Sequence, residues 1–315
     1  MFKNFTPQGL GVSGRQSELI ELALTYGFRG MDIDMEETQR RAARSSPEEA
    51  GKYIRAADIR CIGFESGLSL DAPADQWQND VNKLQIVAQA GKTLDLEAAY
   101  IMIPAGSNRL AYHEFFEEVQ SRLSQLAVLL EQEDIKLAVG FRCGADAAEK
   151  FQFEFIRNVE GFLALTRGVN AKNLGLIVDA WNWHVGGGSM EQLTGLAPTQ
   201  IACVRLANVP DDIESNELKM SDRLLPTPEN AVNNVAILKH LKAIKYAGPI
   251  SVYAHRSAVK GMTREVIVVK TQEAIDALFV AADIPVPPRP IEMIDQNAIM
   301  EPIGLGLGDR DDDMM

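Results

Sequence analysis

The chain has 315 residues, 46% of them hydrophobic and 24% charged, with a formal net charge of −13. That composition is globular, and the length suits one α/β barrel of about 250 residues as well as two average domains. A sequence pI near 4.9 argues against nucleic-acid or anionic-membrane binding, which need a basic face.

In chain order, the opening "MFKNFTPQGLGVSG" lacks an apolar core of signal-peptide length, and no apolar run long enough to span a bilayer follows. A cytoplasmic protein without membrane contact is the expectation. Apolar runs predict strands at 9–13 (GLGVS), 30–34 (GMDID), 59–65 (IRCIGFE) and 99–105 (AYIMIPA). Four more fall at 135–141 (IKLAVGF), 174–180 (LGLIVDA), 201–209 (IACVRLANV) and 249–255 (PISVYAH). The runs are continuous rather than alternating, as parallel strands covered on both faces require.

Helical patterns separate them. "SELIELALTYGF" ends at Gly27, and "YHEFFEEVQSRLSQLAVLLEQED" has apolar residues at three- and four-residue spacing. "VNNVAILKHLKAIKYAGP" stops at Gly248, and "TREVIVVKTQEAIDALFVAADI" is the last helix. Strand then helix, eight times, predicts a single (β/α)8 TIM barrel over residues 1–282. A doubly wound sheet is the runner-up, but it lacks a G-x-G-x-x-G turn after its first strand. Residues 283–315, rich in Pro and Gly and closing in an acidic run, read as an extended tail and as a candidate homodimer contact. Cys61, Cys143 and Cys203 lie far apart in or beside apolar runs and read as buried thiols.

Ligands of such a barrel meet the C-terminal ends of the strands. Those ends supply Asp34, Glu65, Arg142, Asp179 with Trp181, Asn182 and His184, Arg205 with Asn208, and Tyr253 with His255. This polar rim suits a small polyhydroxylated or anionic ligand. Glu65, His184 and Arg205 are the candidate catalytic groups, two bases and a cation able to stabilise an enediolate. Asp34, Arg142, Asp179, Trp181, Asn182, Asn208, Tyr253 and His255 are the candidate substrate-binding groups. Each has a plain structural alternative: ion pairing for the arginines, packing for the tryptophans, a solvated loop for the histidines. Asp34 and Glu65 form an acid–base pair only if an apolar setting raises one of them.

The segments "ELIELALTYGFRGMDID", "LIVDAWNWHVGGG", "IACVRLANVPD" and "YAGPISVY", in this order over residues 8–282, resemble the xylose-isomerase-like TIM-barrel family. That family includes sugar phosphate isomerases and epimerases, inosose dehydratases and endonuclease-IV-type enzymes. The resemblance implies one divalent metal (Mn, Mg or Zn), held by an acid on strand five, one on strand six, a His or Gln on strand seven and a Glu on strand eight. Carried onto this chain, the strand-five Glu falls on Gly140, and Asp179 keeps the strand-six acid. Asn182 stands where a His usually follows, Arg205 and Asn208 replace the strand-seven donors, and Tyr253 replaces the last Glu.

Strands five and eight contain no acid in any register, and an arginine neither deprotonates nor ligates. Asp179 alone is no metal site, and a charge-assisted pair with the new arginine is its expected role. No cofactor is therefore expected, although a rearranged site of Asp34, Glu65 and His184 stays open. Two functions follow: an isomerase or epimerase acting on a sugar, sugar phosphate or polyol, or an inactive barrel that binds a ligand or a partner protein. A repair endonuclease would need many more histidines than the four present.

Overall fold

Eight parallel strand passages ring the barrel in the computed structural model, which describes residues 1–290. They are β1 (Phe2–Phe5), β2 (Gly30–Met31), β3 (Arg60–Cys61, resumed as Gly63–Glu65) and β4 (Ala98–Ile103). β5 (Lys136–Phe141), β6 (Leu174–Asp179), β7 (Ile201–Leu206) and β8 (Pro249–Val252) complete the ring. β8 pairs back onto β1, with Pro249 opposite Phe2. The break at Ile62 lets β3 pair with β2 through its first half and with β4 through its second. Helices α1 (Gln16–Thr25), α2 (Met35–Ala42), α3 (Pro47–Ala56), α4 (Ala74–Lys92) and α5 (Tyr112–Glu131) follow in chain order. They are joined by α6 (Val159–Arg167), α7 (Ala180–Val185), α8 (Met190–Thr194), α9 (Asn234–Ala243) and α10 (Arg264–Ala281).

The first strand differs from its prediction. Residues 9–13 form no strand; the chain takes a 3-10 turn at Gln8–Leu10, and Gly11 has φ 65°. Left-handed backbone at Gly11 cannot continue a strand. β1 instead uses "FKNF", whose polar Lys3 and Asn4 hide it from an apolar-run search. Both are buried because both are paired: Lys3 Nζ lies 2.8 Å from Asp276, and Asn4 Nδ2 donates to Asp32 and Ser251. The remaining seven strands fall where expected, generally ending earlier because the rim residues leave the ladder to cap helices or line the mouth.

Asp58, Asp95, Asp134 and Lys245 take positive φ in the turns before β3, β4, β5 and β8. Asp is one of the few side chains that tolerate this conformation at a helix exit. The main core lies between strands and helices. A smaller cluster of Ala98, Tyr100, Ala138, Ile177 and Cys203 fills the barrel interior. Small residues there make room for one large ring: a Cβ on Gly63 would come within 2.2 Å of the Tyr100 ring. The three cysteines are free and buried, and burial pushes each thiol up to about 12.

After α10 the chain runs without regular structure across the barrel. Ile284 and Val286 pack on the core, and Arg289 donates to the Gln272 side chain at 3.0 Å. The rest of the expected tail, 291–315, lies outside the described residues. No described helix is long and apolar enough to cross a membrane.

Candidate active site at the barrel mouth

The strand ends divide the mouth into two unlike halves. On the β1–β4 side lies a cavity of about 250 Å³, with Thr6 beyond β1, Asp32 beyond β2, Glu65 closing β3 and Tyr100 on β4 in its wall. Asp32 is the focus. Its Oδ1 accepts from Asn4 Nδ2 at 3.1 Å and from the Tyr100 hydroxyl at 2.9 Å, and its Oδ2 accepts from the Thr6 hydroxyl at 2.8 Å. Burial raises its pKa above the usual carboxylate value, against the opposing pull of Arg205 and these three donors. Burial also lifts the Tyr100 hydroxyl well above its ordinary value, with the Asp32 charge adding to the effect.

Asp34 and Glu65, the acids picked out in the sequence, both line this cavity. Asp34 is committed to the N-cap of α2, accepting from Glu37 N–H at 2.9 Å. Glu65 is exposed and meets Arg205 Nη2 at 3.4 Å. A second hollow of about 500 Å³ continues past Glu65 toward Lys83 and Asp80.

The β5–β8 half is filled. Asp179, buried at the end of β6, uses Oδ1 to cap α7 through Asn182 N–H at 2.9 Å. Its Oδ2 takes Arg223 Nη1 at 2.8 Å, with both side chains almost fully buried. The expected pairing of Asp179 with Arg205 is therefore corrected: Arg205 goes to Glu65, and Asp179 takes an arginine from the long connection between β7 and α9. That connection folds back over the mouth. Leu224 and Asn208 exchange two backbone hydrogen bonds, Ala145 N–H donates to Leu218 O at 2.7 Å, and His255 N–H donates to Arg223 O at 3.0 Å.

Cation–π stacking ties the halves together. The Tyr253 ring lies 4.4 Å from the Arg205 guanidinium carbon and 5.3 Å from that of Arg223. Arg205 also lies 4.9 Å from the Tyr100 ring, and Arg223 lies 4.6 Å from the Trp181 ring.

Other predicted residues are placed elsewhere. Trp181 is fully buried under Arg223, so it packs the mouth instead of walling a pocket, and Trp183 donates its indole N–H to Ser189 O. Asn182 is fully buried and accepts from the Cys143 thiol at 3.4 Å. Asn208 is a tether, donating to Thr227 at 2.7 Å and accepting from Asn234 at 2.8 Å. Arg142 is exposed and His255 caps a 3-10 turn; neither lines the cavity. His184 is half-buried, 3.4 Å from the Ser215 hydroxyl, with burial lowering its pKa, and lies apart from Asp34 and Glu65. Sequence reasoning missed Asp32, Tyr100 and Arg223. Asp32 had a signal, since it stands two residues before Asp34 in "GMDID"; Arg223 had none.

A family model described as xylose isomerase-like TIM barrel matches residues 20–277. The chain belongs to the xylose isomerase-like TIM barrel family. Among solved structures, a xylose isomerase domain protein from Alicyclobacillus acidocaldarius is 17% identical with a TM-score of 0.79, covering 90% of this chain and 99% of its own. A zinc-bound IOLI protein is 18% identical with a TM-score of 0.76, over 89% and 99%. A D-psicose 3-epimerase from Clostridium cellulolyticum, solved with D-tagatose, is 12% identical with a TM-score of 0.66, over 90% and 99%. At these identities the likeness establishes the fold. No curated protein matches the chain.

The residues at this family's metal position do not fit a divalent cation. Both oxygens of Asp179 are engaged, and two guanidinium groups with no ligating capacity stand beside it. At Gly140 a Cβ would come within 2.7 Å of the Met102 sulfur, so a glutamate there would have to displace Met102. No group of three or more His, Cys, Asp or Glu among the described residues is arranged to hold a metal.

Proposed function

We propose that this family member binds a small polyhydroxylated ligand of the sugar class at the open half of its mouth, without the family's divalent-metal chemistry. The observation that carries this reading is the buried Arg223–Asp179 pair, which puts a cation where a metal ion would have to sit. A positive charge at that point repels a second cation and uses the one acid that strand six supplies. The cavity lined by Thr6, Asp32, Glu65 and Tyr100 is then the ligand site.

Metal content and melting temperature of the purified chain test this reading. The expected result is no stoichiometric divalent ion, no stabilisation by Mn2+, Mg2+ or Zn2+, and a rise in Tm with neutral sugars or polyols. A retained ion lost in Asp179→Ala would overturn it.

A second reading, turnover by proton transfer, is favoured by Asp32 and Glu65 sharing one cavity wall. Asp32, whose pKa burial raises, and Glu65 would be the acid–base pair. Exchange of solvent deuterium into the carbon next to the carbonyl of a ketose, lost in Glu65→Gln, is its expected signature. No exchange with a ligand that binds leaves the barrel a binding module.

A further inference from the structure

We infer that the cavity beside Asp32 takes a ligand bearing a primary amine and excludes phosphorylated or carboxylated ones; this rests on the ligand site proposed above. Four carboxyl groups, Asp32, Asp34, Glu37 and Glu65, stand in the cavity wall, and among the described residues no Lys, Arg or His does. The two arginines near enough to matter are withdrawn. Arg205 and Arg223 are each 2% exposed, and their guanidinium groups face aromatic rings and the carboxylates of Glu65 and Asp179.

The hydrogen-bond inventory points the same way, independently of charge. An anion needs donors, and the buried donors of the wall are already spent; only the exposed Gln8 amide and Ser13 hydroxyl at its edge are not. The Thr6 and Tyr100 hydroxyls donate to Asp32, and the Gln16 amide donates to Thr38 and Tyr53. Gln16 N–H donates to Glu37, whose two oxygens lie 3.3 and 3.1 Å away. What faces the cavity is mainly a surface of acceptors, closed on the apolar side by residues such as Val12, Leu19, Met31 and Phe64.

Asp32 accepts three hydrogen bonds from neutral groups, and among the described residues no cation donates one to it. An ammonium group, with three donors and no acceptor, complements such a wall. A phosphate brought to the same place would lose its hydration and meet four carboxyl groups in place of a cation.

Titration calorimetry on the full chain at low salt, with D-glucosamine, D-glucose and D-glucose 6-phosphate, tests this directly. The three probes share a ring and differ in charge. Glucosamine should bind about tenfold tighter than glucose, the scale of one charge-assisted contact. Glucose 6-phosphate should bind weakest. The glucosamine advantage over glucose should shrink as ionic strength rises and in Glu65→Gln, which removes one of the four carboxyl groups.

Glucose or its phosphate binding as tightly as glucosamine would overturn the inference and leave the ligand site standing. No binding of either glucosamine or glucose, nor of any other neutral sugar or polyol, would remove the ligand site along with it.

Discussion

The two halves of the barrel mouth use the same elements to opposite effect. On the β5–β8 side, two charged residues are buried nearly completely against each other and against rings. On the β1–β4 side, a raised carboxyl and an exposed one face an open cavity. The difference is made by one connection. Residues between β7 and α9 fold over one half and insert Arg223, while nothing comparable crosses the other. Burial of charge costs solvation that only a partner restores, so the closed half is a matched pair. The open half keeps Asp32, whose hydrogen bonds come from neutral donors.

Removing the plug should give the largest effect. Arg223→Ala leaves Asp179 buried without its cation, and a loss of about 3–5 kcal/mol in denaturant unfolding is expected. Asp179→Ala in the same chain should recover part of that loss, because no uncompensated charge remains. A loss from Arg223→Ala no larger than that of an exposed pair would show that the closed half is held by packing alone.

Gly9→Ala tests the seam between the halves. A Cβ at Gly9 would lie 2.4 Å from Cδ2 of the Tyr253 ring, and that ring lies against both arginines. The expected cost is ~1–3 kcal/mol from forced repacking, read as a fall in Tm.

Asp32 gives the open half a pH signature. Its folded pKa is raised, so the unfolded chain releases this proton first as pH rises, and the native state loses stability between the unfolded value near ~4 and the higher folded one. Below the unfolded pKa the penalty is absent. The stability of the wild type relative to Asp32→Asn should therefore be greatest in acid and fall as pH rises. Melting curves of both proteins across that range check this, and parallel curves would refute it.

The smallest effect is expected at Glu65. Its side chain is 40% exposed, so Glu65→Gln should change stability by less than ~1 kcal/mol despite the contact with Arg205. A much larger loss would mean that Arg205 depends on Glu65 as Asp179 depends on Arg223, and the contrast between the halves would narrow.

Much of the fold was legible in residue order. Seven of the eight strands announce themselves as apolar runs, and the helix stop at Gly27, with φ 77°, was readable from the glycine itself. β1 was not, because Lys3 and Asn4 are buried through partners 273 and 247 residues away. Strand ends located the mouth, but not the role of each residue there. Asp34 and Asp32 look alike in "GMDID" and both reach the cavity; one caps a helix and the other collects three neutral hydrogen bonds, a choice made where the ladder ends at Met31. Trp181, Asn182 and Asn208 stand at the rim in sequence and are interior in the structure because the β7–α9 connection covers them.

The strand–helix alternation, the family and the lack of an acid on strands five and eight follow from residue order alone, since apolar periodicity and residue identity are local properties. Which arginine meets Asp179, which acid is buried among neutral donors and which half of the mouth stays open were settled by the assembled fold. Those outcomes depend on how distant segments share buried charge, and solvation makes that a property of the assembled barrel.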